Sequence, residues 1–438
     1  KDGNVVATKE VTVPVTVVGS TPKSVVVFEG DTVEAKTVQD AVTPGTDGTK
    51  GNPAIPEDLT KTPGKKEVTV PVTYEGIEAP EQVKVPVTVL PVAKGEVTVP
   101  KGETTDKVKE VAKAKAEEVA NSADFKAKLP DGAKDVEVGA ITEEVLAAIT
   151  SEAGSNKGTV KVPVTYTVDG VKYTKDAAIT VNVVGSNADP VYVVEGDKPE
   201  VAKVKDAVKP GEGGTVQDPM EVDLPNTNDK VGATDVTVPT KVKYANGEET
   251  VKVPVTVLPK VTPEGVKVLK DSTGLEEVVK AKATEAATAT TKLPDGVTVR
   301  VKEVKAGTVP ATTATGVQTP ATAVVEYVKD GNVVATKEVT VPVTVVGSTP
   351  SNIVVFEGEK PTADQAKAAV TPGTDGTKGE PTTLPETAGK AGATDVKVDV
   401  PVTYDNGKLT ETVSVPVTVL PKPEADEILV AKNSDKEK

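Results

Sequence analysis

The sequence predicts a mostly β chain, built as a tandem array of small β-sandwich domains that carry one helix each and form an elongated rod. One observation is a phrase, Val-Pro-Val-Thr-Val, that recurs at residues 13–17, 85–89, 253–257, 341–345 and 415–419. Another is that short segments with helical spacing of apolar residues recur between these strands. The third is composition: with three Phe, seven Tyr, one Met and no Trp, cores must be built from Val, which suits domains of under about 100 residues.

The repeated phrase reads as a half-buried strand, because valines at alternate positions place their side chains on one face. Its proline falls on the other face and has no N–H to donate to a ladder. We therefore expect this strand at a sheet edge, or with the missing donor turned toward solvent. Each copy is followed at once by Val-Gly-Ser or Leu-Pro. The phrase is thus predicted to be the last strand of a domain.

Long and short modules are predicted to alternate, since residues 1–22 are identical to residues 329–350 and the two endings alternate between them. The predicted order is the end of a long module (1–19), a short module (20–91), a long module (92–185), a short module (186–259), a long module (260–347), a short module (348–421) and the start of a further long module (422–438). The segment looks excised from something longer, so we expect targeting and anchoring signals to lie outside it.

Each short module is predicted to open with an apolar strand that ends in Glu-Gly. The three copies are Val25–Gly30, Val191–Gly196 and Ile353–Gly358. A brief helix follows, as at residues 363–370, and ends before a Pro-Gly pair and a glycine-rich loop. The module closes with a hairpin, whose turn is Ala245–Gly247 in the second copy and Asp405–Gly407 in the third.

The long modules are predicted to follow the same plan with a longer helix. Thr104–Asp106 supplies an N-cap region, and a stripe from Val108 to Val119 recurs from Leu275 to Ala286 at an offset of 167. A Leu-Pro-Asp-Gly turn follows each helix. The closing hairpins are predicted to turn at Asp169-Gly170 and at residues 329–332.

Charge and composition narrow the functional classes. The net charge of −15 argues against nucleic acid and anionic membranes as partners. The chain has no Cys and no His, which removes disulfides, thiol catalysis and the commonest general base. No apolar run of about 18 residues is present, so the sequence predicts no membrane span.

These features together resemble the Rib/alpha-type repeats of Gram-positive cell-surface proteins. The resemblance rests on the opening strand with Gly, the short helix, the Pro-Asp-Gly turn and the closing hairpin, and it covers essentially the whole chain. Where the family has aromatic-Pro-Asp-Gly in the last hairpin, this chain has Tyr-Ala-Asn-Gly at 244–247 and Tyr-Asp-Asn-Gly at 404–407. The resemblance implies small immunoglobulin-like sandwiches, used as tandem stalk repeats of wall-anchored adhesins.

Four groups of residues were weighed as sites of chemistry, and each favours a structural interpretation. The first group is the carboxylate pairs Glu117-Glu118, Glu143-Glu144 and Glu276-Glu277, which we expect on solvated helix faces. The second is the glycine-rich loops 45–51 and 211–214, considered for phosphate binding. The others are Asp47, considered as a calcium ligand, and Asn182, considered as an isopeptide partner. The loops lack the Gly-Lys-Ser/Thr ending that grips phosphate, and the residue aligned with Asn182 is Thr344. We therefore predict no enzyme, and no catalytic, cofactor-binding or metal-binding residue.

Two functions remain open from the sequence. One is a structural stalk at the bacterial cell wall, a monomeric rod whose repeats contact one another in cis. The other is an adhesion module that binds host matrix proteins or glycans, or associates with itself in a biofilm. For the rod, we expect stiff Leu-Pro junctions from short to long modules and more flexible Gly-Ser junctions from long to short modules.

Overall fold

The computed structural model describes residues 2–429, and their contacts divide the chain into two compact units. The first unit contains the residues up to Asp189 together with Val201–Glu221 and Pro239–Val253. The second contains Pro190–Glu200, Val222–Val238 and the residues from Pro254 onward. No helix within residues 2–429 is long and apolar enough to cross a membrane.

In the first unit, residues 20–91 form a four-stranded sheet faced by a helix and a pair of very short strands. The elements are β1 (Thr21–Pro22), β2 (Val25–Phe28), α1 (Ala35–Asp40), β3 (Val42–Thr43), β4 (Thr49–Lys50), β5 (Gly64–Thr73) and β6 (Glu81–Leu90). The sheet order is β2-β6-β5-β4, and β1 pairs with β3. Val38 of α1 is fully buried and clusters with Val70 and Val85 of the sheet. The second layer of this small domain is therefore partly helical.

Residues 92–185, also in the first unit, form a sheet with a long helix packed on it. The elements are β7 (Lys94–Pro100), α2 (Thr105–Asn121), α3 (Ala123–Lys126), β8 (Ala133–Val138), a 3-10 helix (Ala147–Thr150), β9 (Gly154–Val168) and β10 (Val171–Val184), in the sheet order β7-β10-β9-β8. The Thr104 side chain caps α2 by accepting a hydrogen bond from the Lys107 backbone N–H. The helix buries Val108, Ala112 and Ala116, as its spacing predicts. The short helix α3 is a second helix that the sequence did not predict.

Residues 186–259 contribute to both units. The elements are β11 (Asn187–Ala188), β12 (Val191–Val194), α4 (Val201–Ala207), β13 (Val208–Lys209), β14 (Thr215–Val216), a 3-10 helix (Glu221–Asp223), β15 (Thr237–Tyr244) and β16 (Gly247–Leu258). Within the first unit, β11 pairs with β13, and β14 pairs with residues 242–243 of β15. Within the second unit, β12 runs parallel to residues 255–258 of β16.

Residues 260–347 of the second unit form two three-stranded sheets and a helix. The elements are β17 (Val266–Leu269), α5 (Leu275–Ala289), β18 (Val297–Val304), β19 (Gly316–Val317), β20 (Ala321–Lys329), β21 (Asn332–Val341) and β22 (Val343–Val346). The orders are β17-β22-β19 and β18-β20-β21. The last two strands lie on either side of Pro342 and belong to different sheets: β21 pairs with β20, whereas β22 pairs with β17 and β19.

Residues 348–421 repeat the arrangement of residues 20–91. The elements are β23 (Thr349–Pro350), β24 (Ile353–Phe356), α6 (Ala363–Ala368), β25 (Val370–Thr371), β26 (Thr377–Lys378), β27 (Lys397–Tyr404), a 3-10 turn (Asp405–Gly407) and β28 (Leu409–Leu420), in the order β24-β28-β27-β26 with β23 paired to β25. The predicted further module at 422–438 lies partly outside the described residues. Its residues 422–429 have no regular secondary structure.

The predicted class, a mostly β chain of tandem small domains, is confirmed by this succession of sheets. Two expectations about the repeated phrase need correction. The copy at 13–17 is not a strand: Val13 and Val17 are 73% and 91% exposed, whereas the identical residues at 341 and 345 are buried. The difference is one of neighbours, since β21 pairs with β20 and no strand of the described residues pairs with residues 5–17.

The second correction concerns the sheet edge, which was one of the two placements expected for the phrase. The closing strands β6 and β28 lie between two neighbours and not at an edge. Their prolines are tolerated because the parallel neighbour begins one residue later: residue 25 pairs with 87, after Pro86, and residue 353 pairs with 417, after Pro416. No ladder partner is therefore waiting for the missing N–H.

Candidate functional site

The paired carboxylates that the sequence singled out are engaged with lysines or exposed. Glu117 and Glu118 lie on α2, 3.7 Å from Lys113 and 2.9 Å from Lys115 respectively. Glu276 and Glu277 occupy the first turn of α5, where carboxylates favour the helix dipole. The placement of Glu143-Glu144 on a helix was wrong, because both lie in the loop before the 3-10 helix at 147–150.

The remaining candidates take structural roles. Residues 45–51 and 211–214 form tight turns beside short strands. The side-chain oxygen of Asn182 accepts a hydrogen bond of 2.7 Å from the backbone N–H of Asn156, so this residue holds a loop. Among residues 2–429, no group of three or more acidic side chains is arranged to hold a metal ion.

The contacts that recur lie where one module meets the next. At the Leu-Pro junctions, which lead from a short to a long module, a tyrosine of the long module donates to the proline carbonyl. The Tyr166 hydroxyl lies 2.7 Å from the Pro91 carbonyl oxygen, and the Tyr327 hydroxyl lies 2.5 Å from that of Pro259. Both tyrosines are buried, so these bonds are shielded from water.

The apolar cores also cross the Leu-Pro junctions. Phe28 and Leu90 belong to the core cluster of residues 92–185, and the Phe28 and Tyr166 rings lie 5.6 Å apart. Val194 and Leu258 belong in the same way to the cluster of residues 260–347. The ends of the first and last strands of each of these short modules therefore complete the core of the long module that follows.

An ion pair at the rim of each Leu-Pro junction repeats as well. Lys175 Nζ lies 2.6 Å from an Asp31 carboxylate oxygen, and Lys337 Nζ lies 2.6 Å from one of Asp197. The side chains are about 30–45% exposed, so each pair contributes little to stability on its own. Their role is to orient the two modules, because each pair links the hairpin of the long module to the Glu-Gly turn of the short module.

The Gly-Ser junctions, which lead from a long to a short module, are polar. The junction serine, a tyrosine and a glutamate of the short module form one hydrogen-bonded group in all three copies: Ser20 with Tyr74 and Glu81, Ser186 with Tyr244 and Glu249, and Ser348 with Tyr404 and Glu411. The serine backbone N–H donates to the carboxylate in each group. We call this group the junction triad.

The backbone of each Gly-Ser junction is approached closely by a glycine of the short module that follows. A Cβ added to Gly45 would lie 2.8 Å from the Gly19 carbonyl oxygen, and one added to Gly373 would lie 2.7 Å from that of Gly347. A Cβ on Gly211 would similarly meet Gly185 at 2.6 Å. The Pro-Gly pair after each short-module helix therefore packs its glycine against the junction backbone. Glycine here brings two segments together.

Ionisable groups at both kinds of junction have shifted pKa values. Hydrogen bonds from the Ser20 backbone N–H, the Ser20 hydroxyl and the Tyr74 hydroxyl lower the pKa of Glu81. Burial raises the pKa of Tyr327 to about 12, and it raises the pKa of Tyr166 as well. Burial raises the pKa of Tyr404 of the third triad as well. An acid-sensitive carboxylate therefore lies at the junction at Ser20, whereas buried tyrosines with a raised pKa occur at both kinds of junction.

Sequence reasoning did not find the triads or the tyrosine–proline bonds. The available signal was the tyrosine just before the closing hairpin turn of the short modules, at 74, 244 and 404. A glutamate follows five or seven residues later, on the opposite strand of the hairpin. This spacing places both side chains at one end of the module, where the preceding serine enters.

The repeated sheets and junctions define the chain as a tandem array of small β domains. The chain is similar to the C protein alpha-antigen of Streptococcus agalactiae serotype Ia, with 32% identity over 427 residues, covering 87% of this chain. The kinship with Rib/alpha-type repeats predicted from the sequence is thereby confirmed. The chain spans 37% of the length of that relative. No protein-family model matches the chain.

Some solved structures show a weak likeness to the chain. A tandem of titin domains covers 55% of this chain and 99% of its own, with 12% identity and a TM-score of 0.16. Domains 1–5 of protocadherin Gamma B2 cover 83% of this chain and 86% of their own, with 10% identity and a TM-score of 0.12. TM-scores this low carry no argument about fold or function.

Proposed function

We propose that the chain is a non-catalytic stalk of a bacterial cell-wall-anchored surface protein, which holds an adhesive domain away from the cell. The observation that carries this proposal is the repetition of junction contacts. The tyrosine–proline bond and the lysine–aspartate pair occur at the Leu-Pro junctions at residues 90–91 and 258–259, and the triad occurs at all three Gly-Ser junctions. Repeated contacts fix each module against its neighbour, which is what a spacer requires.

The module boundaries given above belong to this proposal, as do the surface location and the wall anchor. The similarity to a streptococcal antigen supports the surface location. The chain matches only 37% of that relative, so the rest of the relative says nothing about this chain. With about 30–40 Å for each small domain, five modules would span on the order of 150–200 Å.

A second candidate function is adhesion by the repeats themselves, and one surface favours it. A groove of about 330 Å³ lies in the loop region before β9, lined by Ile141, Val145, Leu146 and Ile149 among others. Leu146 is 70% exposed, whereas the corresponding loop of the other long module is rich in Thr and Ala. The groove is also lined by charged side chains, among them Glu143, Lys157 and Lys161, and an exposed leucine rimmed by polar residues is a feature of binding surfaces.

Surface display tests the stalk directly. The chain is placed between a wall anchor and an N-terminal epitope tag, and the height of the tag above the wall is measured by super-resolution microscopy. Deleting residues 186–347 joins Gly185 to Ser348 and keeps the Val-Gly-Ser sequence at the new junction. The tag should drop by about 60–80 Å, two modules in length. An unchanged height would contradict the spacer role.

Solid-phase binding separates the stalk from the adhesin. The full chain is applied to immobilised matrix proteins, glycans and itself. The stalk account expects no saturable binding, whereas the adhesion account expects binding that the change Leu146→Asp abolishes. Tyr173→Phe, a conservative change on β10 of the same module, serves as the matched control.

A further inference from the structure

In every module the first strand of the sheet is paired in parallel with the last. The pairs are residues 25–28 with 87–90, 94–100 with 178–184, 191–194 with 255–258, 266–269 with 343–346, and 353–356 with 417–420. The first strand receives the chain from the preceding module, and the last strand passes it to the next. We call this pair the terminal ladder.

This arrangement determines how a module responds to tension. Because the two strands are parallel, pulling the start of one and the end of the other slides them past each other along their axes. All hydrogen bonds of the ladder are then loaded together. In a hairpin opened from its free ends the bonds break one after another, which takes less force. Forced unfolding is governed by the barrier to this first separation and not by equilibrium stability.

The terminal ladders differ in length, and the sequence supplies a cause. Residues 94–100 pair with seven residues of β10, whereas the ladder has four paired residues in each of the other modules. The four short ladders each begin at the residue after a proline, namely Pro86, Pro254, Pro342 and Pro416. In the long ladder Thr180 occupies that position.

Hydrogen-bond direction explains why the proline sets the limit. The Ala178 N–H donates to the Ala93 carbonyl, so the N–H of Thr180, two residues on, also faces β7. In the short ladders, the hydrogen bond of the residue after the proline shows which way the proline nitrogen points. The Val417 N–H donates to Val396 in the hairpin, so the nitrogen of Pro416 faces the first strand and has no hydrogen to offer.

We infer that the modules are force-bearing shear clamps and that the residue at the proline position of the closing strand sets their mechanical strength. Thr180 makes residues 92–185 the strongest module, and proline makes the other four weaker. This inference deepens the proposed stalk function, because a stalk that holds an adhesive tip is loaded through its two ends.

Single-molecule force spectroscopy on the full chain, tethered at its two termini, tests the clamp. Long modules release more chain than short ones, since an extended residue adds about 3.3–3.6 Å. We expect the highest-force event to be a long-module event. In Thr180→Pro this event should move down to the force of the other long module. In Pro342→Thr the event of residues 260–347 should move up.

The matched control is Val164→Ala in β9. Val164 is fully buried in the same core but lies outside the terminal ladder, so this change lowers equilibrium stability while leaving the clamp intact. Its unfolding force should stay close to that of the unchanged chain. If Thr180→Pro does not fold, Pro342→Thr decides the question alone.

Two results would overturn the clamp. One is a highest unfolding force that Thr180→Pro does not change. The other is a decrease in unfolding force in Val164→Ala as large as the decrease in Thr180→Pro. Failure of the stalk would look different. Solution scattering that shows a compact chain would refute the stalk, whereas an extended chain with an unaltered force would refute the clamp alone.

Discussion

The Leu-Pro and Gly-Ser junctions perform the same task with different chemistry. At a Leu-Pro junction, residues of the short module such as Leu90 are buried in the core of the long module, and a buried tyrosine ties the proline carbonyl. At a Gly-Ser junction, a serine is held by a tyrosine and a glutamate, and glycine backbones approach within contact distance. The first junction depends on burial, and the second on hydrogen bonds to a charge.

The comparison changes the meaning of the glycine at the second junction. From the sequence, Gly-Ser was expected to bend more readily than Leu-Pro, and this stays a prediction. In the structure the junction glycines are closely packed, because a side chain at Gly45 or Gly373, which lie within the short modules, would collide with the backbone of Gly19 or Gly347. A glycine between domains can therefore mark a tight joint. Flexibility there must be argued from contacts as well as from residue type.

The largest expected effect comes from removing a shared core residue. Leu258→Ala should destabilise the chain by about 2–5 kcal/mol, because Leu258 is fully buried in the core of residues 260–347. Denaturant unfolding measures the loss. The matched control is Leu420→Ala at the equivalent position, where Leu420 is 39% exposed and the loss should be far smaller. Equal losses would mean that the leucine stabilises only its own module.

The tyrosine–proline bond should give the next largest effect. Tyr327→Phe leaves the buried carbonyl of Pro259 without its donor, which should cost about 1–3 kcal/mol. The ordinary chain should also lose stability as the pH rises from about 10 to 12, since unfolded tyrosine ionises before Tyr327, whose pKa burial raises to about 12. Tyr327→Phe should reduce this alkaline loss. Tyr192→Phe, at a half-buried tyrosine of the same junction, should change neither quantity appreciably.

Acid should weaken the Gly-Ser junction at Ser20. The lowered pKa of Glu81 means that its stabilisation is present above the ordinary value near 4.5 and is lost as the pH falls through the lower folded value. The Ser20 amide, followed by NMR, should shift in that acidic range. Glu81→Gln should abolish this titration, and Glu67→Gln, whose carboxylate faces Lys84 on the hairpin surface, should leave it in place. A Ser20 amide that titrates in both variants would contradict the assignment.

The smallest effect is expected from the rim ion pairs. Asp197→Asn should change the stability by no more than about 1 kcal/mol, because the pair with Lys337 is partly exposed. The effect should shrink further as salt is added, which thermal unfolding at two salt concentrations can measure. A salt-independent loss well above this size would show that the pair acts as part of the buried junction.

The order of strands and helices could be predicted because it follows from the local spacing of apolar residues. The stripe of α2 and the hairpins around Asp169 and Asn246 follow from spacing and turn residues alone. The failure at residues 13–17 shows the limit of this reasoning, since the same sequence is a strand at 341–345 only where β20 and β17 provide partners. A strand depends on its neighbours in space, and periodicity does not supply them.

The junctions could not be predicted for a related reason. Tyr166 reaches Pro91 across 75 residues, and Ser20 reaches Glu81 across 61, so neither pair leaves a local pattern. A similar limit applies within a core. Thr240 is fully buried at the position of Val70 and Val400, and its hydroxyl finds no hydrogen-bond partner among the described residues. Thr240 occupies an inward-facing position of the strand, as the valines do, but its side chain carries a polar hydroxyl that valine lacks.

Small-angle X-ray scattering of the full chain tests most directly the claim that the junctions hold the modules in an extended series. A rod of about 150–200 Å has a radius of gyration of about 45–55 Å. A compact globule with the same number of residues would have a radius of gyration of about 22 Å. The account predicts the larger value, maintained at neutral pH and moderate salt. A radius of gyration near the smaller value would contradict it.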